Sequence, residues 1–539
     1  LGGQYFKQLA KSHSFENKSL NDYQYRRGSE LIKQVQNSDT EVKLGSTVIA
    51  SEKISNNHLN ISLLKNEVME LINAKRIIFC TGAYEIARPF PGWTSPNIIT
   101  TGAAQSLLRS YRLNAGKEIV IAGNGPLNFQ LAAELIDNGA KLKGVIEASP
   151  NPFPFKTISL IKSMFYDPNL MIQGSTYLAK LILNRVPILF KHHVNEVFGK
   201  NPSTIKVSPI LDGGKLDINK NVEFSADTLC VGYGFLSNDE LPRLLGCKYE
   251  YKETGVSKII CDQYGRTSLN EVFVIGDGAK IGGAQVAEYE GKITGNIILQ
   301  DFKLKKNVSK SLKYTKKVLN KKKKFQKAIW SVFKSEEIDL SVANDETILC
   351  RCENVTSGEI NSVLEAGYND LSSIKRLSRA GMGRCQGRYC TNMLVNKLKN
   401  FTNIEKTFDS FNPQFPIKPI PISSILCEQP EWKGYKPEPV TLRETKNFYT
   451  NSSSDSKNYT KTDVAIIGGG AIGVSISLYL SKNGIENTLI EAGFLNSQAS
   501  GNNAGSLHLQ LLSFDFEMNK KNESPQIKSL VLQKRGIQL

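Results

Sequence analysis

Histidine is scarce in this chain. The five histidines (His13, His58, His192, His193 and His508) among 539 residues show no metal-ligand spacing, and no Ser-His-Asp arrangement can be argued around them. His192-His193 reads as a surface or strand-end pair. Long apolar runs are equally rare. The longest, VAIIGGGAIGVSISLYL at 464–480, is broken by three consecutive glycines and fits a strand–turn–helix rather than a membrane span. The opening LGGQYFKQL has no charged segment followed by an apolar one, so no signal peptide is read, and the natural N-terminus is expected upstream. Acidic residues vanish between Lys303 and Lys327, where 12 lysines stand; of the net charge of +17, 17 − 12 leaves +5 for the rest. That run has few aromatics and no base-reading motif, so it reads as a solvated helix or linker and not as a nucleic-acid surface. An anionic membrane surface or an acidic partner protein are the alternatives. Nine cysteines are too few for a disulfide scaffold, and their clustering favours a reducing compartment. The expectation is a cytoplasmic protein, with peripheral contact at the inner face of the membrane as its variant.

What is present is concentrated. Cys350, Cys352, Cys385 and Cys390 form C-x-C, a gap of 32 residues, and C-x4-C. Soft thiolates in this number suit an iron–sulfur cluster or zinc, and the spacing alone does not choose between them. A redox dithiol at Cys385/Cys390 is a rival, but the neighbouring C-x-C pair favours ligation. Gly381, Gly383 and Gly387 would let backbone N–H groups approach sulfide.

Three glycine motifs punctuate the chain. Gly468-Gly469-Gly470-Ala471-Ile472-Gly473 is a full G-x-G-x-x-G after the strand Val464–Ile467, and Glu491 ends the next strand 23 residues beyond Gly468. Glycines allow close approach of a pyrophosphate, the helix start stabilises its charge, and the acid accepts from a ribose hydroxyl. An earlier unit, GKEIVIAGNGPLNFQLAAELIDNGAKLKGVIEAS at 116–149, has Gly123 and Gly125, with Asn128 in the third glycine's place and Glu147 at the strand end. It is read as a βαβ unit, with NAD, ATP or an empty site all open. Gly276 and Asp277, in VIGDG before a helix, suit a flavin site in which Asp277 accepts from a ribityl hydroxyl; an ordinary strand-to-helix turn fits the same residues.

The fold class that follows from these units is α/β and Rossmann-like, and the family resemblance set out next implies its parts: a two-dinucleotide-binding-domain, Rossmann-like flavoprotein, a small helical [2Fe–2S] domain, and the start of a second Rossmann-like FAD domain. The expected division is an FAD-binding domain over 1–100 and 255–302 with its N-terminal motif missing, and an inserted nucleotide-binding domain over 101–254. A lysine-rich linker or helix follows at 303–344, then a [2Fe–2S] domain at 345–402. The proline-rich strap, with seven prolines in 411–440, and its linker take 403–460, and the last FAD domain begins at 461–539.

With these residues assembled, the chain resembles the two-subunit, FAD-dependent amine dehydrogenase family, which includes the opine oxidases, hydrogen cyanide synthase, dye-linked L-proline dehydrogenase and the larger sarcosine oxidases. The likeness to the α subunit covers about 1–430 and is carried by GGQYFKQ (2–8), CTGAYEIARPFPGW (80–93), TTGAAQSLL (100–108), AGNGPLN (122–128), GDGAKIGGA (276–284) and CRCENVTSGEI…AGMGRCQGRYC (350–390). In that family such cysteines hold a [2Fe–2S] cluster in a module like bacterioferritin-associated ferredoxin. Residues 461–539 resemble the start of the D-amino-acid-oxidase-like β subunit, with ASGNNAGSLHLQ (499–510) similar to its second flavin-contacting segment. The resemblance implies FAD, with contacts at Gly3, Gln4, Thr81, Gly82, Gly282, Ser500 and Gly501 beside the glycine motifs, and FMN, NAD or ATP as further nucleotides. It also implies a small amine or amino-acid substrate, a β-type catalytic flavoprotein partner and a quinone or carrier protein as electron acceptor. The expected activity is oxidation of a CH–NH or CH–NH2 donor to an imine.

Overall fold

A computed structural model describes residues 7–8, 22–37, most of 45–402, 411–421, 424, and two short strands, Val464–Ile467 and Asn487–Ile490. Gly3, Gln4, Gly468, Gly470, Gly473, Glu491, Ser500 and Gly501 lie outside the described residues. The chain divides into two compact units, one holding 1–44, 49–61 and 72–418 and the other holding 45–48, 62–71 and 419–539. In the second unit Val464–Ile467 pairs in parallel with Asn487–Ile490, with Ile467 opposite Ile490. The elements that build the candidate site all belong to the first unit.

A short strand, β1 (Ile77–Phe79), precedes a five-stranded sheet made of β2 (Ile98–Thr100), β3 (Glu118–Gly123), β4 (Lys141–Glu147), β5 (Ile188–Phe190) and β6 (Thr228–Gly232). The order is β2-β6-β3-β4-β5, and every pairing is parallel. Parallel strands need helical crossovers, which bury both faces. The sequence EIVIAG obeys this: Ile119 and Ile121 face one core with Leu108, Leu131 and Leu135, while Val120 and Ala122 face another with Phe90, Ile146 and Leu229. Helices α1 (Thr101–Tyr111) and α2 (Pro126–Asp137) cover the first face. The crossing is tight at one point, where a Cβ on Gly123 would meet the Gly232 carbonyl oxygen at 2.0 Å. We therefore expect Gly123→Ala to yield little soluble protein, measurable as recovery after expression beside Gly139→Ala. Nothing lies within 4 Å of a Cβ at Gly139, although its φ of +80° leaves backbone strain.

The flavin-type half is built from β1, which pairs in parallel with β7 (Val272–Val274), and from α3 (Ala284–Asp301). The lysine-rich segment is a helix, α4 (Ser309–Val332). Its Lys323 pairs with Glu290 at 2.8 Å and Lys322 with Asp167 at 2.5 Å, while Leu319 and Phe325 are buried. The four cysteines sit in a small module of β8 (Ile348–Cys350), β9 (Val355–Thr356), α5 (Ser357–Glu365), α6 (Leu371–Ser378) and α7 (Thr391–Thr402). Thr356 and Glu359 make a capping box at α5, and Asp370 caps α6. Its own apolar core joins Leu349, Ile360, Leu364, Ile374 and Leu394 with Cys350 and Cys390.

One local expectation changes. His192 and His193 do open a strand, His192–Phe198, but side chains alternate along it and His193 is 1% exposed, stacked on Tyr233 at 4.6 Å. Burial drives its pKa down to about 4.

Candidate active site: a flavin-sized cavity, a closed glycine loop and a thiol quartet

A cavity of about 1480 Å³ opens between the two nucleotide-type halves, lined among others by Thr81, Gly82, Gly276, Asp277 and Gly283. This exceeds the roughly 300–1,000 Å³ of pockets for drug-sized ligands and suits an extended dinucleotide. Sequence pattern fixes its floor. Gly82 (φ +69°) and Gly276 (φ +63°) take left-handed conformations at the ends of β1 and β7. The Thr81 hydroxyl donates to the Asn238 carbonyl at 2.6 Å, tying the turn to a segment far along the chain. Asp277 Oδ1 accepts from the N–H groups of Gly282 and Gly283, both at 2.9 Å, and so shapes the loop that starts α3. That helix begins at Gly283 without a side-chain cap, and Gly283, Ala284, Gln285 and Val286 all line the cavity. Uncapped N–H groups at a helix start are an anion site. Gln285 Oε1 is buried there with no hydrogen-bond partner. An unpaired buried acceptor beside uncapped donors is what a phosphate-bearing cofactor with hydroxyl donors would complete, and FAD fits these residues.

The same cavity holds titratable groups that sequence reasoning missed. Lys7 is 8% exposed, donates to Gln105 Oε1 at 3.1 Å, and its pKa is pushed down to about 8 by burial and by Arg109. Burial raises the pKa of Glu85, whose Oε1 accepts from the Gly102 N–H at 2.8 Å. Only the fold brings these residues together; no spacing in the sequence announces them.

The second glycine loop is closed by its own chain. Glu147 is fully buried, and its carboxylate accepts from the Gly125 N–H (3.0 Å), the Ser149 N–H (2.9 Å) and Asn124 Nδ2 (3.0 Å). The acid that would meet a ribose hydroxyl thus occupies the loop N–H that would meet a pyrophosphate. Asn124 Nδ2 also donates to the Phe333 carbonyl at 2.9 Å, and a Cβ on Gly125 would lie 3.6 Å from Trp330 Cζ3. The end of α4 therefore lies on the loop, fastened by Lys156 Nζ on the Val332 (2.6 Å) and Lys334 (3.1 Å) carbonyls. Asn128, in the third glycine's place, bonds Thr101 Oγ1 and the Gly232 carbonyl, both at 3.0 Å, and becomes a polar staple between helix and sheet.

Burial raises the Glu147 pKa to about 7 against its N–H donors. Between the ordinary value of 4.5 and about 7 the folded chain holds a proton that the unfolded chain releases, so this contribution to stability is full in acid and lost as pH rises. Urea midpoints at pH 5 and pH 8 should show it as a smaller pH dependence in Glu147→Gln than in the parent.

At the module, Gly381 (φ +84°) and Gly387 (φ +80°) fold the cysteine loops against Phe411, and a Cβ on Gly383 would strike Cys352 Cβ at 2.3 Å. The thiols interact electrostatically as two neighbouring pairs, Cys350 with Cys390 and Cys352 with Cys385. The Cys350 pKa is held down to about 6 by the Cys390 thiol and by N–H donors from Gly381, Glu353 and Cys352. Among the described residues no three Cys, His, Asp or Glu side chains converge on a single ion. Two thiol pairs with N–H donors suit a two-iron cluster with two sulfur ligands per iron better than one tetrahedral zinc. Cys350, Cys352, Cys385 and Cys390 would hold it.

Comparison with known proteins agrees with this geometry. The profile of the pyridine nucleotide-disulphide oxidoreductase family matches residues 4–291, just over half of the chain. The chain belongs to that family. Residues 348–400 match the BFD-like [2Fe-2S] binding domain, and residues 463–533 match the FAD dependent oxidoreductase family. Among homologous relatives, hydrogen cyanide synthase subunit HcnB of Pseudomonas aeruginosa is 29% identical over 364 residues, covering 67% of this chain and 77% of that protein. An opine oxidase subunit from Agrobacterium tumefaciens is 25% identical over 363 residues, covering 66% and 70%. L-proline dehydrogenase from P. horikoshii shares the fold, with a TM-score of 0.55, 19% identity, and coverage of 78% of this chain and 71% of that one. This pyridine nucleotide-disulphide oxidoreductase is thus an FAD-dependent oxidoreductase with a [2Fe–2S] domain, similar to the opine oxidase and hydrogen cyanide synthase subunits. No described helix is long and apolar enough to cross a membrane.

Proposed function

We propose that this chain is the electron-relaying component of an amine or amino-acid dehydrogenase whose substrate is of the opine, proline, glycine or sarcosine class. A CH–NH or CH–NH2 donor loses two electrons to flavin and becomes an imine, which water hydrolyses. The donor is oxidised on a D-amino-acid-oxidase-like flavoprotein partner, and the electrons leave through the thiol-held cluster to a quinone or a carrier protein. The observation that carries this reading is the shared wall of the two redox sites: Tyr389, between Cys385 and Cys390, lines the same cavity as Thr81, Gly82 and Asp277. The printed names of the relatives, an opine oxidase and a hydrogen cyanide synthase subunit, support the substrate class. The flavin supplies the two-electron chemistry, and the chain's own residues bind it, orient it and connect it to the cluster.

A pyridine-nucleotide-linked reductase is disfavoured by the loop at Gly123–Gly125, whose donors are spent on Glu147 and whose open side carries Trp330. Anaerobic spectroscopy of the holoprotein with its partner subunit tests the choice. Opines, L-proline, glycine or sarcosine should bleach the flavin, and NADH should leave it oxidised. Rapid bleaching by NADH without amine would overturn the proposal.

A further inference from the structure

The cysteine loop is fastened to the flavin half by a compact set of contacts. Arg388 Nη2 donates to Glu240 Oε2 at 2.5 Å, and Lys418 Nζ lies 3.5 Å from the same oxygen. The Arg388 guanidinium also sits 5.8 Å from the centroid of the Tyr84 ring. Beside it Tyr389 meets Tyr84 edge to face, with centroids 5.6 Å apart and planes at 80°. Both tyrosines line the cavity that holds Thr81, Gly82 and Asp277. Tyr84 is two residues beyond Gly82. Tyr389 is joined by one peptide bond to Cys390 and lies four residues beyond Cys385. A second fastening, Trp93 Nε1 to the Ile348 carbonyl at 2.7 Å with Arg351 over the indole at 5.6 Å, holds the opposite end of the module.

We infer that Tyr84 and Tyr389 form the passage by which electrons cross between the flavin cavity and the thiol quartet, and that the Arg388–Glu240 pair keeps the two rings in contact. Electron tunnelling falls steeply with distance and is faster through packed atoms than through solvent gaps. The paired rings replace a gap with continuous contact, and the backbone then leads from Tyr389 through one peptide bond to Cys390. The balance is simple. One electron at a time leaves the reduced flavin and converts one ferric iron to ferrous. No bond between heavy atoms forms or breaks, and the proton released goes to the water that reaches Tyr389, 44% exposed. Tyr84 and Tyr389 act as a conduit and stay unoxidised, so their hydroxyls are not required. Arg388 and Glu240 are positioning residues.

This inference rests on the relay reading above, and the experiment separates the two. Full-length holoprotein is photoreduced anaerobically, and the electron paramagnetic resonance signal of the reduced cluster is followed by rapid freezing. Iron and labile sulfide per chain, and the signal after dithionite, are measured in every variant as controls. Tyr389→Phe and Tyr84→Phe should match the parent. Tyr389→Leu, Tyr84→Leu and Arg388→Met should keep the cluster and its dithionite signal while slowing its reduction by flavin by an order of magnitude or more. A Tyr389→Leu cluster reduced as fast as the parent's overturns the conduit. If the parent's flavin is reduced while a dithionite-reducible cluster stays oxidised, the relay itself is overturned.

Discussion

Cys390→Ser abolishes the iron–sulfur absorbance of the anaerobically purified chain: iron and labile sulfide fall from about two each per chain to near none. Cys390 is 1% exposed, paired with Cys350 and packed against Leu394 and Ile374 in the module's own core. Its loss removes a ligand and a piece of that core together. Metal binding and folding are coupled in small ligand-dense modules, so α5 to α7 should also become susceptible to protease. Cys352→Ser offers the contrast. Cys352 is exposed, so its substitution should empty the site with less effect on the surrounding helices. Colorimetric iron and sulfide assays, with limited proteolysis of each variant, check both statements. Zinc in place of iron in the parent would sink the electron-relay reading and leave only a structural metal.

Arg109→Met costs about 3–5 kcal/mol, the usual penalty for orphaning a buried charge. The Arg109 side chain is 3% exposed and grips Glu134 with two nitrogens, Nε at 3.1 Å and Nη2 at 2.6 Å, while Nη2 also reaches Asp22 Oδ2 at 2.7 Å. Glu134, 7% exposed at its side chain, is also hydrogen-bonded by Gln130 at 2.7 Å, but among the described residues no second cation forms an ion pair with it. Removing the guanidinium strands that carboxylate between α1 and α2. The double variant Arg109→Met/Glu134→Leu should recover much of the loss, because the Glu134 carboxylate is then no longer buried without its partner. Urea unfolding of the parent, the single and the double variant forms the cycle. If the single variant unfolds at the parent's midpoint, the network is not structural.

The parts that were legible in the sequence share one property: their cause is local. EIVIAG followed by Gly-Asn-Gly-Pro is a strand buried on both faces, a turn only glycine can make, and a proline suited to a helix start, and it forms β3 and α2 as read. The fold class follows from such units, and the proposal of a thiol-held cluster starts from close cysteine spacing. The rest is set by partners far along the chain. Asn128 looks like a defect in a glycine motif until Thr101 and Gly232 are seen on either side of its amide. Nothing in the lysine run announces that it ends in Trp330 over Gly125, and Glu147 looks the same in the sequence whether it faces a ribose or its own loop. Tyr389 did carry a signal, its place beside Cys390, but its partner Tyr84 did not.

The tryptophan that covers the glycine loop has a consequence for ligand competition. A segment tethered to the protein it covers acts at a fixed effective concentration, on the order of millimolar for short flexible connections, and cannot be diluted away. Any free dinucleotide must first displace Trp330 and the Phe333 carbonyl, so its apparent affinity is reduced by the fraction of molecules in which α4 has lifted off. The end of α4 thereby shields this glycine loop from the surrounding nucleotide pool.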